Sequence, residues 1–369
     1  MRIAFVLAGL EAGGAEKIVN LLAHHRLKLG DSIDVLAVNA DRANSYFPYD
    51  PNVGISVLGG RGPTPPGLRS AWQLLELKRR LAAIRPDVIV SFLTKINILV
   101  GIASYGLGIP VVMSERNNFR VQAMSPVWRV ARPAIARSAT LLVMQTDEAR
   151  RSLSPGLRSK AVVIPNPVTL PRHIERHASD GRRVVAVGRL DRQKGFDLLL
   201  EGFSHVASFV PAAKLTIFGE GPERGALKEQ ARALGIGDRV SLPGVTRSPV
   251  DWISAGDVFV LSSRFEGFPN VLLEAMRAGL PSIAFDCPWG PAEILDDPDT
   301  GVLVPAGNIK ALGEAIRRLV TDPALQRQMG RAGAIAVAQR YSKPAVLAEW
   351  DDVIVAAVTG RRARALAPA

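Results

Sequence analysis

The sequence predicts an α/β protein with two Rossmann-like domains, each built on a doubly wound parallel sheet. Short, branched apolar runs recur along the chain between residues that favour turns, as in strands buried on both faces. Helical patterns separate most of these runs, and this alternation is typical of parallel sheets covered by helices. A length of 369 residues also exceeds one ordinary core and suits two domains.

The predicted strands fall into two sets. In the first half they lie at residues 2–8, 34–38, 87–93, 110–114, 140–144 and 161–165, with helical patterns at 15–30 and 68–84. In the second half they lie at 183–188, 214–219, 240–244, 257–263, 281–285 and 301–305, with helices at 196–209, 223–235 and 309–320. A final helix at about 344–360 is expected to pack back on the first domain.

The boundary between the domains is predicted in a proline-rich stretch. Pro165, Pro167 and Pro171 rule out a continuous helix there and disfavour a central strand. The sequence therefore predicts an N-terminal domain at residues 1–166 and a C-terminal domain at residues 167–343.

The distribution of charge and the number of cysteines limit the possible partners and the cellular compartment of the protein. Residues 1–170 carry 21 Lys and Arg against 11 Asp and Glu, a net +10, whereas the rest carry 25 against 23, a net +2. A basic first half suggests a nucleic acid, an acidic membrane surface or a phosphorylated substrate as partner; a merely soluble basic surface is the alternative. The single cysteine, Cys287, allows no internal disulfide, which favours the cytoplasm. No apolar run reaches the ~18 residues that cross a bilayer.

Glycines follow several predicted strands, at the edge where an open parallel sheet binds its ligands. Gly13 and Gly14 separate the first strand from its helix, where they either leave N–H groups free for an anion or form a plain tight turn. Gly219 and Gly244 repeat the transition from strand to glycine in the second half.

Two cations and two carboxylates share the ligand edge of the second predicted sheet. Arg189 and Lys194 lie between a strand and a helix and would suit a diphosphate. Glu266 lies in a loop and Glu274 about one turn into the following helix. A sugar nucleotide would place one hydroxylated ring beside each carboxylate. Taken alone, either glutamate is equally consistent with a solvated surface residue.

The start of the helix that carries Glu274 is a further predicted anion site. Pro269 suits the entry to this helix, and Asn270 is expected to cap it. Backbone N–H groups at Asn270 and Val271 would then face an anion.

Together these residues resemble the retaining family-4 glycosyltransferases of GT-B fold, in which two Rossmann-like domains face a central cleft. The most specific features are the Glu-x7-Glu pattern at 266–274 and the segments 188–196 and 218–223. Segments 286–295 and 114–119 are similar to those of members that build bacterial surface polysaccharides or lipid-linked oligosaccharides.

The resemblance implies roles for individual residues. Arg189 and Lys194 hold the donor diphosphate, Glu266 contacts the donor hexose, and Glu274 contacts the ribose. Arg189, Lys194 and Glu266 form the implied catalytic set. The other implied donor-binding residues are in glycine loops, beside the base or at the helix start: Gly13, Gly14, Gly219, Gly244, Val245, Phe268, Pro269, Asn270, Val271 and Leu272.

The implied reaction moves a hexose or N-acetylhexosamine from a UDP-sugar to a glycan acceptor carried on a polyprenyl diphosphate, with retention of anomeric configuration. The N-terminal domain would bind the acceptor and the C-terminal domain the sugar nucleotide. Fixed cations and helix amides would stabilise the departing diphosphate, so neither a metal nor another cofactor is expected.

One region departs from the family pattern. Many members carry a histidine near the reacting sugar, whereas the corresponding segment here contains Glu115, Arg116 and Asn117. We expect these three residues to contact the acceptor or the donor sugar instead.

A basic, partly apolar helix is predicted within residues 125–144. Arg129, Arg132 and Arg137 lie there among apolar residues, as in helices that settle on anionic membranes. We therefore expect a cytoplasmic protein attached to the inner face of the cytoplasmic membrane. An ordinary packed helix with solvated arginines is the alternative.

Two other classes of protein remain open. A sugar-nucleotide epimerase or a phosphorylase of the same fold is the closer alternative. A phosphorylase would require a pyridoxal-binding lysine, and fold alone does not exclude the epimerase. A non-enzymatic nucleic-acid-binding protein would use the basic first half, but aromatic residues make up only 6% of the chain. We therefore expect no nucleic-acid partner.

Overall fold

A computed structural model describes residues 1–11, 13–40, 42–59, 66–121, 125–171, 174, 179–246 and 248–360, the side chains of 66–68 excepted. The chain divides into two compact units. The first unit contains Met1–Asn166 and the chain from Pro344 onward, and the second contains Pro167–Lys343.

The first unit is built on a seven-stranded sheet. Its strands are β1 (Arg2–Leu7), β2 (Ser32–Ala37), β3 (Gly54–Val57), β4 (Val88–Phe92), β5 (Val111–Ser114), β6 (Leu141–Met144) and β7 (Ala161–Val163). Their order is β3-β2-β1-β4-β5-β6-β7, and every pair is parallel. The predicted strands are all observed. The additional strand, β3, lies at an edge of the sheet and is only half-buried, so it lacks the apolar run that predicts a buried strand.

Helices cover both faces of the first sheet. They are α1 (Gly14–Lys28), α2 (Pro66–Ile84), α3 (Thr94–Ala103), α4 (Pro126–Ala136), α5 (Asp147–Arg151), α6 (Pro155–Arg158) and α14 (Lys343–Thr359). The last helix, α14, belongs to the core of this unit: Trp350 is fully buried, and its ring lies 5.6 Å from that of Phe92. Burial of this large aromatic ring fixes the C-terminal helix on the first sheet.

The second unit is built on a six-stranded parallel sheet. Its strands are β8 (Arg183–Val187), β9 (Lys214–Phe218), β10 (Val240–Gly244), β11 (Val258–Leu261), β12 (Ser282–Asp286) and β13 (Val302–Pro305). The helices are α7 (Phe196–Phe209), α8 (Arg224–Ala233), α9 (Pro249–Ser254), α10 (Asn270–Arg277), α11 (Pro291–Ile294), α12 (Ile309–Thr321) and α13 (Pro323–Arg340). Apolar side chains of the central strands are fully buried, as expected for a sheet covered on both faces.

The order of the strands shows where each sheet can bind a ligand. The second sheet has the order β10-β9-β8-β11-β12-β13, so chain progression reverses between β8 and β11. In the first sheet the same reversal occurs between β1 and β4. Loops at the carboxyl ends of such strand pairs diverge and leave a crevice, which is the usual ligand site of an open α/β sheet. None of the described helices is long and apolar enough to cross a membrane.

Candidate active site

The loops after β8 and β11 meet at the crevice of the second sheet. Gly195 has a φ of +62°, and a Cβ there would lie 2.1 Å from the carbonyl oxygen of Ser262. The stem of Lys194 lies over Gly188, where a Cβ would be 3.2 Å from its Cγ, Cδ and Cε atoms. Glycine at both positions therefore lets the two loops approach and lets Lys194 lie across the end of β8.

A buried ion pair lies between these loops. Lys194 Nζ is 2.7 Å from Glu266 Oε1, and Ser263 Oγ donates to the same oxygen at 2.6 Å. Glu266 is only 5% exposed. No donor in the described part of the chain reaches the second carboxylate oxygen, Oε2. Glu266 thus has one oxygen fixed by protein groups and one that can accept a hydrogen bond from a ligand hydroxyl.

The loop after β11 is fixed to the start of α7 by a second ion pair. Arg264 Nη1 and Nη2 donate to the two oxygens of Asp197 at 2.7 and 2.6 Å. Main-chain N–H of Arg264 donates to Gln193 O at 2.8 Å, and Gln193 Nε2 donates to Phe265 O at 3.0 Å. These bonds hold Lys194 and Glu266 in register. Arg264, Asp197 and Ser263 were not predicted from the sequence, because they belong to no recognised motif. The only signal for them was their position beside the predicted ligand loops.

Arg189 occupies a different environment from Lys194. Its side chain is 69% exposed and forms an ion pair with Asp191. Exposed pairs of this kind contribute little to stability, so a phosphate can replace the carboxylate at small cost. The two predicted cations therefore follow the same strand, one fixed in a buried pair and one near the surface.

Glycines allow the loops after β8, β9 and β10 to lie against one another. Gly219 has a φ of +139°, and a Cβ there would be 1.9 Å from Gly188 O. Gly219 N–H donates to Gly244 O at 2.8 Å. Gly244 has a φ of +98°, and the next residue, Val245, is 73% exposed. This exposed apolar residue beside the glycine loops is available to contact a planar ring.

The structure corrects the predicted start of α10. Asn270 is the first helical residue rather than the cap, and Pro269 holds the N-cap position. Asn270 N–H donates to Phe268 O, and Leu272 N–H to Pro269 O, each at 3.0 Å. The Val271 N–H makes no hydrogen bond to another described residue, so one of the two predicted amides remains available to an anion. Phe268 and Leu272 are buried.

Glu274 lies about one turn along α10 and is half-buried. Its position on the same helix as the free Val271 amide keeps it near the carboxyl end of β11. Nearby, Cys287 is buried, and burial, with a contribution from Glu266, raises the pKa of its thiol to about 12. This thiol is therefore a poor nucleophile at neutral pH.

In the first unit, Glu115 follows β5 and is held by side chains of α3. Its carboxylate accepts hydrogen bonds from Thr94 Oγ1 at 2.7 Å and Asn97 Nδ2 at 3.2 Å. Burial raises the pKa of Glu115, against the opposing effects of Arg132 and these hydrogen bonds. Asn117, two residues further on, is half-buried. Glu115 is thus a pre-positioned acceptor at the ligand edge of the first sheet.

The structure places Arg116 in the core instead of at a ligand surface. Its guanidinium lies 5.3 Å from the ring of Phe92 and 5.4 Å from that of Trp350, and Nη1 donates to Asn166 Oδ1 at 2.5 Å. Burial lowers its pKa to about 9. Adjacent residues at a strand end point to opposite sides, so Glu115 faces α3 while Arg116 faces α14. The expected sugar contact of Arg116 is therefore replaced by a structural role.

The glycines at the start of α1 lie beside a carboxylate of the same helix. Gly13 holds the N-cap of α1, but a Cβ there would be 2.0 Å from Oε2 of Glu16, whose carboxylate folds back over this helix end. Gly14 is the first residue of α1. An anion would have to displace the Glu16 carboxylate.

The three arginines of the predicted membrane surface, two on α4 and one at its C-cap, have different environments. Arg129 and Arg137 are exposed. Arg132 is half-buried, with its guanidinium 3.3 Å from the centroid of the Phe119 ring, and it lies near enough to Glu115 to influence its pKa. Arg132 therefore belongs with Glu115 rather than with the outer surface.

Comparisons with known proteins agree with this architecture. A model of the Glycosyl transferases group 1 family matches residues 171–335, and a model of Glycosyltransferase Family 4 matches residues 12–172. An exopolysaccharide phosphotransferase of Streptomyces coelicolor is 29% identical over 98% of this chain, which spans only 41% of that protein. The amylovoran biosynthesis glycosyltransferase AmsD of Erwinia amylovora is 24% identical, with 93% of this chain and 96% of that protein covered.

Solved structures show the same fold. Sucrose-phosphate synthase from Thermosynechococcus elongatus superposes with a TM-score of 0.79 at 20% identity, covering 97% of this chain and 99% of that one. Anabaena HepE in complex with UDP-glucose gives a TM-score of 0.78 at 17% identity, covering 96% and 100%. The two matched family models divide this chain between them near the boundary of its two units. With two parallel-sheet units of GT-B type and both family models matched, the chain belongs to the group 1 and family 4 glycosyltransferases.

Proposed function

We propose that this glycosyltransferase uses a UDP-sugar to extend a bacterial surface glycan carried on a polyprenyl diphosphate, with retention of anomeric configuration. The observation that carries the proposal is the Lys194–Glu266–Ser263 cluster at the crevice of the second sheet. It joins a cation suited to a diphosphate with a carboxylate oxygen suited to a sugar hydroxyl.

Donor binding is proposed to rearrange charge around this cluster. The diphosphate takes the exposed guanidinium of Arg189 from Asp191 and shares Lys194 with Glu266. The Val271 N–H donates to a phosphate oxygen at the start of α10. Glu266 Oε2 accepts from a hydroxyl of the hexose, and Glu274 accepts from the ribose. The base lies beside Val245 and the glycine loops.

The chemical step is proposed to depend on the leaving group. As the bond from the anomeric carbon to the diphosphate breaks, negative charge grows on the phosphate oxygens. Arg189 and Lys194 already lie beside those oxygens, so they stabilise that charge without reorganising. An acceptor hydroxyl then attacks from the same face, which retains the configuration. We propose that no resident metal or other cofactor takes part.

The substrate class draws support from the relatives. Their names include amylovoran biosynthesis in Erwinia amylovora and lipopolysaccharide core biosynthesis in Rhizobium meliloti, the latter 33% identical over 50% of this chain. The complexes of HepE with UDP and with UDP-glucose support UDP as the nucleotide.

We further propose attachment to the inner face of the cytoplasmic membrane. The exposed side of α4 carries Arg129 together with Val127 and Val130, each valine 75% exposed, and the exposed Arg137 is the C-cap residue of this helix. Cations beside exposed apolar side chains favour an anionic lipid surface. Charge reversal at Arg129 and Arg137 should then reduce binding to anionic liposomes; unchanged binding would contradict the attachment.

A donor screen tests the proposed function. UDP-hexoses and UDP-N-acetylhexosamines are incubated with the chain and polyprenyl-diphosphate glycans, and both UDP release and the new anomeric linkage are measured. The proposal predicts release that depends on the acceptor and a linkage that keeps the configuration of the donor. An inverted linkage would contradict the mechanism, and a C2-epimerised donor formed without any acceptor would instead identify an epimerase.

A further inference from the structure

A cleft of about 480 Å³ lies in the first unit. Side chains of α2, α3 and α4 line it, together with Asn39 in the loop after β2. Because Asn39 follows β2 and α3 follows β4, the cleft opens at the carboxyl ends of the strands. This edge is the ligand edge of the first sheet.

The floor of the cleft is polar and fixed. Gln73 is buried, and its Nε2 donates to Val38 O at 3.0 Å and to Asn39 Oδ1 at 3.1 Å. With its oxygen occupied in this way, Asn39 presents its NH₂ group as a donor. The floor can therefore donate hydrogen bonds to an anion.

Two cations flank this floor. Arg69 extends from α2 and Lys95 from the first turn of α3, and both are exposed. Neither forms an ion pair or a hydrogen bond with any other residue that the structure describes. Two uncompensated cations on neighbouring helices, one of them in the first turn of α3, attract an anion with several oxygens. A phosphate or diphosphate fits this description better than a single carboxylate.

The remaining wall is apolar. Ile96 and Leu99 of α3 and Trp128 of α4 line the cleft. The cleft therefore has an apolar wall beside the two cations. A free inorganic anion would leave this wall in contact with water, whereas a phosphate attached to an apolar chain would cover it.

We propose that this cleft binds the phosphate end of the acceptor, with the apolar chain that carries the phosphate lying along Ile96, Leu99 and Trp128. The inference rests on the proposed function, because it assigns a place to the acceptor of that reaction. The cleft is distinct from the donor cluster: its residues lie in the first unit, whereas Lys194, Glu266 and Ser263 lie in the second, and its ligand is the acceptor. Lipid-linked phosphate is the committed ligand; free phosphate and uncharged lipid are the alternatives that the experiment separates.

Farnesyl diphosphate, a short soluble analogue, is the probe. Its binding to the full chain is measured by calorimetry beside that of inorganic pyrophosphate and farnesol. Both parts of the probe contribute, so each fragment should bind at least about tenfold more weakly than farnesyl diphosphate. Equal affinity for pyrophosphate would show that the apolar wall is not used, and equal affinity for farnesol that the cations are not; either result would overturn the proposal.

The variant Arg69→Gln/Lys95→Gln should weaken binding of farnesyl diphosphate by about tenfold or more, since two charge-assisted contacts are lost. Lys28→Gln is the matched control. Lys28 is an exposed cation at the C-terminal end of α1, which lies at the amino ends of the strands, away from the cleft. An unchanged affinity in the double variant, or an equal loss in the control, would overturn the site.

Titration with UDP separates this inference from the proposed function. UDP should bind the double variant as it binds the unaltered chain, which also shows that the variant is folded. A chain that binds UDP but not farnesyl diphosphate refutes the cleft and leaves the proposed function standing. A chain that binds farnesyl diphosphate but neither UDP nor any UDP-sugar supports the cleft and refutes the proposed function.

Discussion

Replacement of Lys194 with methionine would remove the cation from a buried carboxylate while keeping the stem that lies over Gly188. The two charged groups are 2.7 Å apart, and their side chains are 19% and 6% exposed for Lys194 and Glu266. Removing one partner from a buried ion pair costs about 3–5 kcal/mol, because the other charge remains buried. Lys194 is partly accessible to water, so we expect a loss nearer to about 2–3 kcal/mol.

A variant of Glu266 and a double variant complete a cycle that measures the interaction between Lys194 and Glu266. Glu266→Gln leaves a lysine that water can reach and an amide that Ser263 can still contact, so we expect a loss of about 1 kcal/mol. The double variant Lys194→Met/Glu266→Gln buries no unpaired charge. Its loss should therefore fall short of the sum of the single losses by about 1–2 kcal/mol.

Urea unfolding, followed by tryptophan fluorescence and circular dichroism, measures this cycle. Trp252 and Trp289 report on the second unit. Ser208→Ala, at an exposed position of α7, would serve as a control for an unrelated hydroxyl of the same unit. If the two single losses add up to the double loss within about 0.5 kcal/mol, the two charges do not depend on each other, and the ion pair does not contribute as expected.

Three other variants or reactions test separate features. Gly219→Ala should reduce UDP affinity at least about tenfold, since its Cβ would lie 1.9 Å from Gly188 O and must push the loops apart by about 1 Å; unchanged affinity in calorimetry would contradict this. Burial, with a contribution from Asp352, raises the pKa of Glu349 to about 7 in the folded chain, whereas the unfolded chain keeps the ordinary value of 4.5. Between these two pH values the carboxyl group ionises only in the unfolded chain, so the free energy of unfolding falls as the pH rises. Glu349→Gln should therefore gain about 1 kcal/mol at pH 8 after screening, and almost nothing at pH 4, in thermal melts; an equal gain at both values would be contrary evidence. Cys287, buried and with its pKa raised to about 12, should react with iodoacetamide at pH 8 at least about a hundredfold more slowly than in urea, and comparable rates by mass spectrometry would disprove its burial.

The fold could be predicted because strand-like and helix-like patterns alternate along the sequence. The central strands are apolar runs such as that of β4, and helices such as α12 show clear amphipathic periodicity. Two of the elements that these patterns did not reveal have a physical reason: β3 is a short edge strand, and α3 buries eight of its ten residues. A helix buried on nearly all sides has no polar face, so the period of 3.6 that identifies helices is missing.

The donor cluster was predictable in part. Lys194 and Glu266 lie in loops that the strand pattern already placed at one edge, and the structure brings them into contact. Arg264 and Asp197 were not predictable, because nothing in either loop alone shows that a charged residue in one faces a carboxylate in the other.

Arg116 illustrates the limit most clearly. A charged residue after a strand usually belongs to the surface or to a ligand site. Whether Arg116 faces the ligand or the core depends on Trp350 and Asn166, which lie far from it along the chain. Only the packing of α14 on the first sheet decides between the two.

The proposed function depends on the diphosphate of an activated sugar being held in the second unit by Arg189 and Lys194. This can be tested by titration calorimetry with UDP, UMP and uridine, against the unaltered chain and against Arg189→Gln/Lys194→Gln. UDP should bind the unaltered chain about tenfold tighter than UMP, and the double variant should remove this difference. Equal binding of UDP and UMP by the unaltered chain, or an undiminished preference for UDP in the variant, would contradict this proposal.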